Sequence, residues 1–195
     1  ATAPDQLRLG GERRKVAVLF SDIRGFTPLA ARLTPDETAR LLTEYFSEMA
    51  DCVFRHGGTL DKFIGDAVMA QWGAPISEPD DADRALCAAL DMMAALNRLN
   101  ERWQKQGRPS LQVGIGLNYG DAFAGFLGSE RRLEYTVIGD TVNLANHLCA
   151  QAQGGEILVS ESFRRALTRS HQLVPRDSLR FPGRDEPLAV YLATS

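Results

Sequence analysis

Hydrophobic and polar residues form blocks along the chain, and the first blocks predict three strands. The continuous apolar run Val16–Phe20 is typical of a strand buried on both faces. Thr59–Ile64 and Ala67–Trp72 have the length and composition of two further strands. Only Gly65 and Asp66 separate them, and a Gly-Asp link of two residues predicts a β-hairpin.

Helical periodicity follows both the first strand and the hairpin. Thr34 and Glu37 have the spacing of a capping box, and apolar residues at three- and four-residue intervals continue this helix until Gly57. The same intervals predict an Ala-rich helix over about Asp80–Gln106. A shorter helix is predicted to begin with Thr27 as its N-cap, because proline follows at the first helical position.

Strands and helices alternate in the second half of the chain. Leu111–Leu117 and Ala122–Leu127 are predicted to form a hairpin whose turn is Asn118-Tyr119-Gly120-Asp121. The remaining predicted elements are a strand at Leu133–Ile138, a helix over about Asp140–Gln151, a strand at Glu156–Val159, a helix from Ser160, and short strands that end with Leu188–Leu192. This order predicts an α+β domain whose helices pack mainly on one face of a sheet.

Composition and charge exclude several classes of protein. The chain has 195 residues, of which 44% are hydrophobic and 24% charged, so it has enough apolar content for a core and too much for a disordered chain. No apolar run approaches about 18 residues, which argues against a membrane segment. The formal net charge of −3 argues against non-specific binding of nucleic acid.

The cysteines and the N-terminal residues bear on location and domain boundaries. Cys52, Cys87 and Cys149 are widely spaced within apolar helical patterns, which favours reduced thiols in a cytoplasmic compartment. Residues 1–15 are polar, contain glycine and end in the charged stretch Glu12–Lys15, and residues 1–12 are predicted to be a linker from an upstream region. Residues 13–195 are predicted to form one domain.

Two aspartates at strand ends are the first candidates for chemistry. Asp22 ends the first strand and Asp66 lies in the hairpin turn, so neighbouring strands would bring the carboxylates together. Such a pair is stabilised by a cation, and Mg²⁺ is commonly held by one or two carboxylates and by phosphate oxygens. The N–H groups that follow Asp22 run into a helix, where a phosphate binds favourably. Alternatively, Asp66 is an ordinary turn residue and Asp22 an ordinary strand-end acid, and the spacing alone leaves both interpretations open.

Three sequence blocks resemble the signature of the class III nucleotidyl cyclases. They are FSDIRGFT (Phe20–Thr27), DKFIGDAVMA (Asp61–Ala70) and YTVIGDTVNLA (Tyr135–Ala145). The blocks occur in the family's order, and the similarity runs from about Arg13 to the C-terminus. Three blocks with compatible spacing are a specific signal, whereas one block would not be.

The resemblance implies a fold, an assembly and a reaction. The fold is a ferredoxin-like βαββαβ core with a C-terminal α/β extension and a dimerisation arm, assembled as a head-to-tail homodimer with active sites at the interface. The reaction converts a nucleoside triphosphate to its 3′,5′-cyclic monophosphate and pyrophosphate. Two Mg²⁺ or Mn²⁺ ions per active site are implied, with Asp22, Asp66 and the Ile23 carbonyl as ligands. The implied phosphate contacts in this segment are Gly25, Phe26 and Thr27.

The resemblance also indicates which purine is bound, through two residues of the partner subunit. Their positions are Lys62 and Thr136 in this sequence. Lys62 can only donate, which suits N1 of adenine, and the Thr136 hydroxyl can accept from the 6-amino group. Guanine has a donor at N1 and an acceptor at position 6, the reverse of adenine. Guanylyl cyclases typically carry Glu in place of Lys62. The pair therefore predicts ATP as substrate, in a variant similar to the Thr-containing, bicarbonate-responsive bacterial group.

The sequence departs from the family pattern at several cationic positions. Asn143 matches the asparagine that orients the ribose, but His147 replaces the arginine that steadies the transition state. Imidazole is shorter, makes no bidentate contact and is mostly neutral at pH 7. Pro182 replaces a phosphate-binding lysine, and Arg184 is expected to reach the phosphates in its place. Gln112 occupies a position that is basic in several relatives.

Two hypotheses of different classes follow. The first is an adenylyl cyclase, a lyase of low activity because of His147, which binds ATP and works as a homodimer under an upstream regulatory domain. The second is a degenerate cyclase domain that binds nucleotide or dimerises to regulate a larger protein, with little turnover.

Overall fold

The computed structural model describes residues 10–194, and the domain is built on one eight-stranded sheet. The predicted linker, residues 1–12, lies mostly outside the described residues, and Glu12 begins the first strand. The elements in chain order are β1 (Glu12–Ile23), α1 (Phe26–Ala30), α2 (Pro35–Arg55), β2 (Thr59–Ile64), β3 (Ala67–Trp72), α3 (Asp81–Lys105), β4 (Val113–Ser129), β5 (Arg132–Ile138), α4 (Asp140–Gln151), β6 (Ile157–Ser160), α5 (Glu161–Ala166), β7 (Leu173–Leu179) and β8 (Leu188–Ala193).

The sheet confirms the predicted α+β class and its ferredoxin-like core. Its strand order is β2-β3-β1-β4-β6-β8-β7, and β5 pairs with the second half of β4. The first six core elements run β1-α2-β2-β3-α3-β4, and their four strands are antiparallel in the order β2-β3-β1-β4. The strands β6, β8 and β7 extend the sheet, and β6 pairs in parallel with β4.

The predicted hairpin around Asn118 is wrong, because Val113–Ser129 is one continuous strand of 17 residues. β1 is also longer than predicted and pairs with β4 from Glu12 to Ile23, so the turn-like residues of β4 have partners throughout. Asn118 is buried, donates to the Thr141 carbonyl and accepts from two serine hydroxyls. Polar residues that resemble a turn in the local sequence can lie in a buried strand when distant residues satisfy their hydrogen bonds.

The two predicted helix starts have different outcomes. The capping box of α2 is confirmed: the Glu37 N–H donates to Thr34 Oγ1 at 3.1 Å and the Thr34 N–H donates to Glu37 Oε2 at 2.9 Å. The prediction of Thr27 as the N-cap of α1 is wrong, because Gly25 occupies that position with a left-handed backbone (φ 67°). Glycine adopts this conformation without steric cost, which explains why the chain turns before Thr27.

The helices divide between the two faces of the sheet. Helices α2, α3 and α5 share the larger core with one face of β1, including Ala17 and Leu19, as the sequence predicts. Helix α4 packs on the opposite face, where Ala145 contacts a second core that includes Val18 and Val137 of β5. No helix within residues 10–194 is long and apolar enough to cross a membrane.

The close approach of α4 to β4 depends on Gly116. A Cβ atom at this position would lie 2.3 Å from the Cys149 main-chain nitrogen and 2.5 Å from the Ala145 carbonyl oxygen. Both obstacles belong to the backbone of α4, so only a shift of the whole helix would make room.

We therefore expect Gly116→Ala to destabilise the domain by about 2 kcal/mol, because overpacking displaces α4. Urea unfolding measures the difference in the free energy of unfolding. Gly10→Ala is the control, since nothing lies within 4 Å of a Cβ there. Equal stability of the two variants would contradict this account of the α4–β4 contact.

Candidate active site

The two candidate metal ligands lie side by side at the end of β1. Asp22 is the penultimate residue of β1, and Asp66 lies in the turn between β2 and β3. Because β3 pairs with β1 up to Val68 opposite Ser21, the turn reaches the end of β1. The Ile23 main-chain N–H donates to Asp66 Oδ2 at 3.1 Å, which fixes the second carboxylate against the first strand.

The electrostatics of this pair favour a cation. Burial, a hydrogen bond with Asp66 and repulsion from its charge, in that order, raise the pKa of Asp22 to about 6. Arg24 opposes this shift only partly, with its Nη2 atom 3.8 Å from Asp22 Oδ2. Carboxylate and carbonyl oxygens are the donors that Mg²⁺ and Mn²⁺ prefer, so Asp22, Asp66 and the Ile23 carbonyl fit a divalent ion. No third Asp, Glu, His or Cys joins them within residues 10–194, which leaves positions for water or phosphate oxygens.

Arg24 connects the carboxylate site to helix α4. Its guanidinium donates to the Cys149 carbonyl at 3.0 Å and to the Ala150 carbonyl at 3.4 Å, near the end of that helix. A cation is favourable at this position because the last carbonyls of a helix carry partial negative charge. The contact therefore neutralises the end of α4 and ties it to the strand that carries Asp22.

The segment after Asp22 presents free backbone donors, as expected for a phosphate contact. The Gly25, Phe26 and Thr27 N–H groups make no hydrogen bond to any other described residue. Gly25 and Thr27 are exposed, and a Cβ at Gly25 would meet open space. The backbone here is accessible to a ligand, while the Phe26 side chain packs against the larger core.

The two predicted base-contacting residues meet although they are 74 positions apart. Lys62 Nζ, on β2, lies 3.3 Å from Thr136 Oγ1, on β5. Asp61 joins them: its side chain is 2% exposed, accepts from the Thr136 hydroxyl at 2.8 Å and pairs with Lys62 at 3.2 Å. We call Asp61, Lys62 and Thr136 the base cluster. The sequence alone predicts no role for Asp61, where the only signal is a carboxyl group beside a candidate functional lysine.

Helix α4 carries the two residues predicted to act on the ribose and the transition state. Asn143 is exposed and His147 is partly buried, with its ring 6.4 Å from that of Phe181. Arg184 pairs with Asp140 in the first turn of this helix, so its charge is near Asn143 but is partly neutralised.

The structure brings the predicted residues together in separate groups. Asp22 and Asp66 form one group, and the base cluster forms another. Within residues 10–194, no hydrogen bond or ion pair joins these two groups.

Comparison with known proteins assigns the chain to a family. Residues 11–194 match the family described as the adenylate and guanylate cyclase catalytic domain, and the chain belongs to this family. It is 35% identical to an adenylate cyclase of Anabaena cylindrica over 187 residues, which cover 91% of this chain and 36% of that protein. It is 32% identical to adenylate cyclase 1 of Rhizobium meliloti, covering 92% of this chain and 27% of that protein. The chain thus spans about a third of the length of these relatives.

Solved structures confirm the fold over nearly the whole chain. The adenylyl cyclase CyaB from P. aeruginosa superposes with a TM-score of 0.92 at 33% identity, covering 96% of this chain and 97% of that one. The guanylyl cyclase Cya2 superposes with a TM-score of 0.90 at 36% identity, covering 94% and 93% of the respective chains. Both purine specificities thus occur among similar proteins.

The raised pKa of Asp22 predicts that Asp22→Asn stabilises the metal-free protein at pH 8. The folded protein holds the Asp22 proton more tightly than the unfolded chain, so the stability linked to this group is present below pH 3.8 and is lost as the pH rises through about 6. Asparagine avoids the loss, and we expect a gain of about 1 kcal/mol after allowing for the partial exposure of Asp22.

Urea unfolding in a chelator at pH 8 and pH 4 measures this difference, which should shrink towards zero at pH 4. Asp51→Asn is the control, because Asp51 is exposed and has no ion-pair partner within the described residues. A destabilised Asp22→Asn variant at pH 8 would contradict the electrostatic description of the carboxylate pair.

Proposed function

We propose that this domain is an adenylyl cyclase, which converts ATP to 3′,5′-cyclic AMP and pyrophosphate. The observation that carries the proposal is the separation of 3.3 Å between Lys62 Nζ and Thr136 Oγ1. N1 and the 6-amino group are adjacent on one edge of adenine, so a donor and an acceptor at this separation suit them together. Guanine would present a donor to Lys62 and an acceptor to Thr136, which disfavours GTP.

The carboxylate pair is proposed to hold two Mg²⁺ or Mn²⁺ ions, with Asp22, Asp66 and the Ile23 carbonyl as ligands. Bound there, the ions supply polarisation of the ribose 3′-oxygen and neutralisation of charge on pyrophosphate. The raised pKa of Asp22 supports this assignment, because it shows that ionisation of Asp22 is unfavourable beside Asp66, and a bound cation would offset that cost. The 3′-oxygen forms a bond to the α-phosphorus and loses its proton, and the bond from that phosphorus to pyrophosphate breaks.

The protein's own groups are proposed to position the nucleotide. The free N–H groups of Gly25, Phe26 and Thr27 suit the triphosphate, and Asn143 orients the ribose from the exposed side of α4. Arg184 adds a cation at the start of α4. Such positioning lowers the barrier because the reacting atoms are held in line before reaction.

The active site is proposed to be shared by two copies of the chain. Within the described residues, no hydrogen bond or ion pair joins the carboxylate pair to the base cluster, as expected if a nucleotide connects groups from two copies. Large apolar side chains beside both groups are exposed, among them Ile64 at 52%, Leu133 at 42% and Ile138 at 46%. Exposed apolar residues next to a functional site are typical of a surface that is covered in the assembly.

The wider context of the domain is also a proposal. Residues 13–195 are proposed as the catalytic unit, together with Glu12, which begins β1, and the residues before Glu12 are proposed as a linker from an upstream regulatory domain. The partial coverage of the longer relatives supports this arrangement. A cytoplasmic location is supported by three free cysteines, whose pKa values are raised by burial, as expected of unreactive core thiols.

A degenerate, nucleotide-binding domain with little turnover is the second candidate. His147 favours it, because a partly buried imidazole against Phe181 lacks the reach and the fixed charge of arginine. Pro182 and Gln112 favour it as well, since each replaces a cation. This candidate predicts stabilisation by ATP and metal without formation of cyclic AMP.

The proposed function is tested with Mn·ATP and Mn·GTP in parallel, with cyclic nucleotide as the product measured. ATP should yield cyclic AMP, GTP should react at least about tenfold more slowly, and Asp66→Ala should lower cyclic AMP formation about a thousandfold, since metal ligation supplies several kcal/mol. Asp51→Asn should retain the parent rate. Activity that survives Asp66→Ala would refute the metal assignment, and thermal stabilisation by ATP without product would select the second candidate.

His147→Arg is expected to raise the rate of cyclic AMP formation about tenfold, because a guanidinium carries a fixed charge and can make a bidentate contact with the transition state, which an imidazole cannot. His147→Gln is the control, since it removes the ring without adding a cation. Steady-state rates at saturating Mn·ATP measure the effect. A rate that is unchanged or lower in His147→Arg would show that the missing cation does not limit turnover.

A further inference from the structure

A buried carboxylate lies behind the two groups that face the base. The side chain of Asp61 is only 2% exposed, although an isolated carboxylate is costly to bury. Its oxygens lie 2.8 Å and 3.0 Å from Thr136 Oγ1, and Oδ1 is 3.2 Å from Lys62 Nζ. The position of Asp61 is therefore held by both residues of the proposed adenine contact.

The contacts of Thr136 determine the direction of its hydrogen bonds. A hydroxyl carries one proton and two lone pairs, an ionised carboxylate only accepts, and an ammonium only donates. The Thr136 proton is therefore committed to Asp61, since its other acceptor within reach, the Val137 carbonyl, is at 3.5 Å. Lys62, at 3.3 Å, contacts the oxygen as a donor. One lone pair of Thr136 therefore remains for a ligand.

We propose that Asp61 is a specificity-determining residue that makes the Thr136 hydroxyl an obligatory acceptor. This inference rests on the proposed function and deepens it. A threonine hydroxyl alone can rotate and would donate to a 6-oxo group as readily as it accepts from a 6-amino group. With its proton held by Asp61, the Thr136 hydroxyl accepts a hydrogen bond from a 6-amino purine. A 6-oxo purine is disfavoured, because its oxygen and the Thr136 oxygen are both acceptors.

Asp61 acts through Thr136 and is a positioning residue, so its effect must be separated from that of Lys62. Purine riboside triphosphate has hydrogen in place of the 6-amino group and retains N1 as an acceptor. The ratio of kcat/KM for ATP to that for this analogue therefore reports the Thr136 contact, while the Lys62 contact is common to both nucleotides.

The parent protein should prefer ATP over the analogue about tenfold, the worth of one good hydrogen bond. Asp61→Asn should reduce the preference to about threefold, because an amide can donate to Thr136 and free its proton to point at the base. Thr136→Val should abolish the preference. Asp61→Asn in the Thr136→Val background should cause no further change in the ratio, since the hydroxyl that Asp61 orients is gone.

Glu134→Gln is the matched control. Glu134 lies 3.8 Å from Lys62, and the substitution removes a carboxylate beside the lysine without touching the Thr136 hydroxyl. It should leave the ratio as in the parent. Thermal unfolding checks that each variant is folded, and Asp61→Ala replaces Asp61→Asn if the latter is not, because it also frees the hydroxyl.

Calorimetric binding of the two nucleotides with Mn²⁺ gives the same ratio independently of turnover. A parent preference that persists in the Asp61 variant, or that persists in Thr136→Val, would overturn the proposal. A ratio that falls equally in Glu134→Gln would assign the effect to Lys62 and also overturn it. Absence of cyclic AMP formation with the predicted binding ratios would contradict the proposed function alone and leave the role of Asp61 supported.

Discussion

The burial of β1 between β3 and β4 is the constraint on which the rest of the structure depends. β1 pairs with β4 over its whole length and with β3 up to Ser21, so both edges of the strand are fixed up to the point where Asp22 emerges. The β2–β3 turn then holds Asp66 against Ile23. Two acidic groups are thus kept together by main-chain pairing, which does not yield to their repulsion. Burial first, and then the hydrogen bond with Asp66 and repulsion from its charge, raise the pKa of Asp22.

The base cluster of the same chain holds its acidic residue, Asp61, in a different way from the carboxylate pair. At the base cluster, the acidic group is buried, paired and hydrogen bonded, so it needs no cation from solution. Its contacts fix the orientation of the Thr136 hydroxyl and of Lys62. Under the proposed function, the carboxylate pair of one copy holds the metal ions and the base cluster of the other copy contacts the purine.

Local sequence signals predict the main helices and the β2–β3 hairpin, whereas contacts between distant residues determine the course of β4 and the surroundings of Asp61. The capping box of Thr34 and Glu37 acts within one turn, so its sequence spacing was sufficient. The polar segment around Asn118 has the local sequence of a turn, but it forms a strand because Asn118 finds its hydrogen-bond partners on other elements. Asp61 was overlooked for the same reason, since its role depends on Thr136, 75 positions later. The resemblance to a family indicates the candidate site residues, whereas their hydrogen-bond directions depend on contacts between distant strands.

Mixing two inactive variants tests the shared active site most directly. Asp66→Ala damages the carboxylate pair and Lys62→Ala damages the base cluster, so each homodimer has two defective sites. Random exchange of subunits makes half of the dimers mixed, and each mixed dimer combines both lesions in one site and leaves the other intact. Cyclic AMP formation should therefore recover to about a quarter of the parent activity after mixing. A mixture as inactive as its components, under conditions where subunits are shown to exchange, would contradict an active site built from two copies.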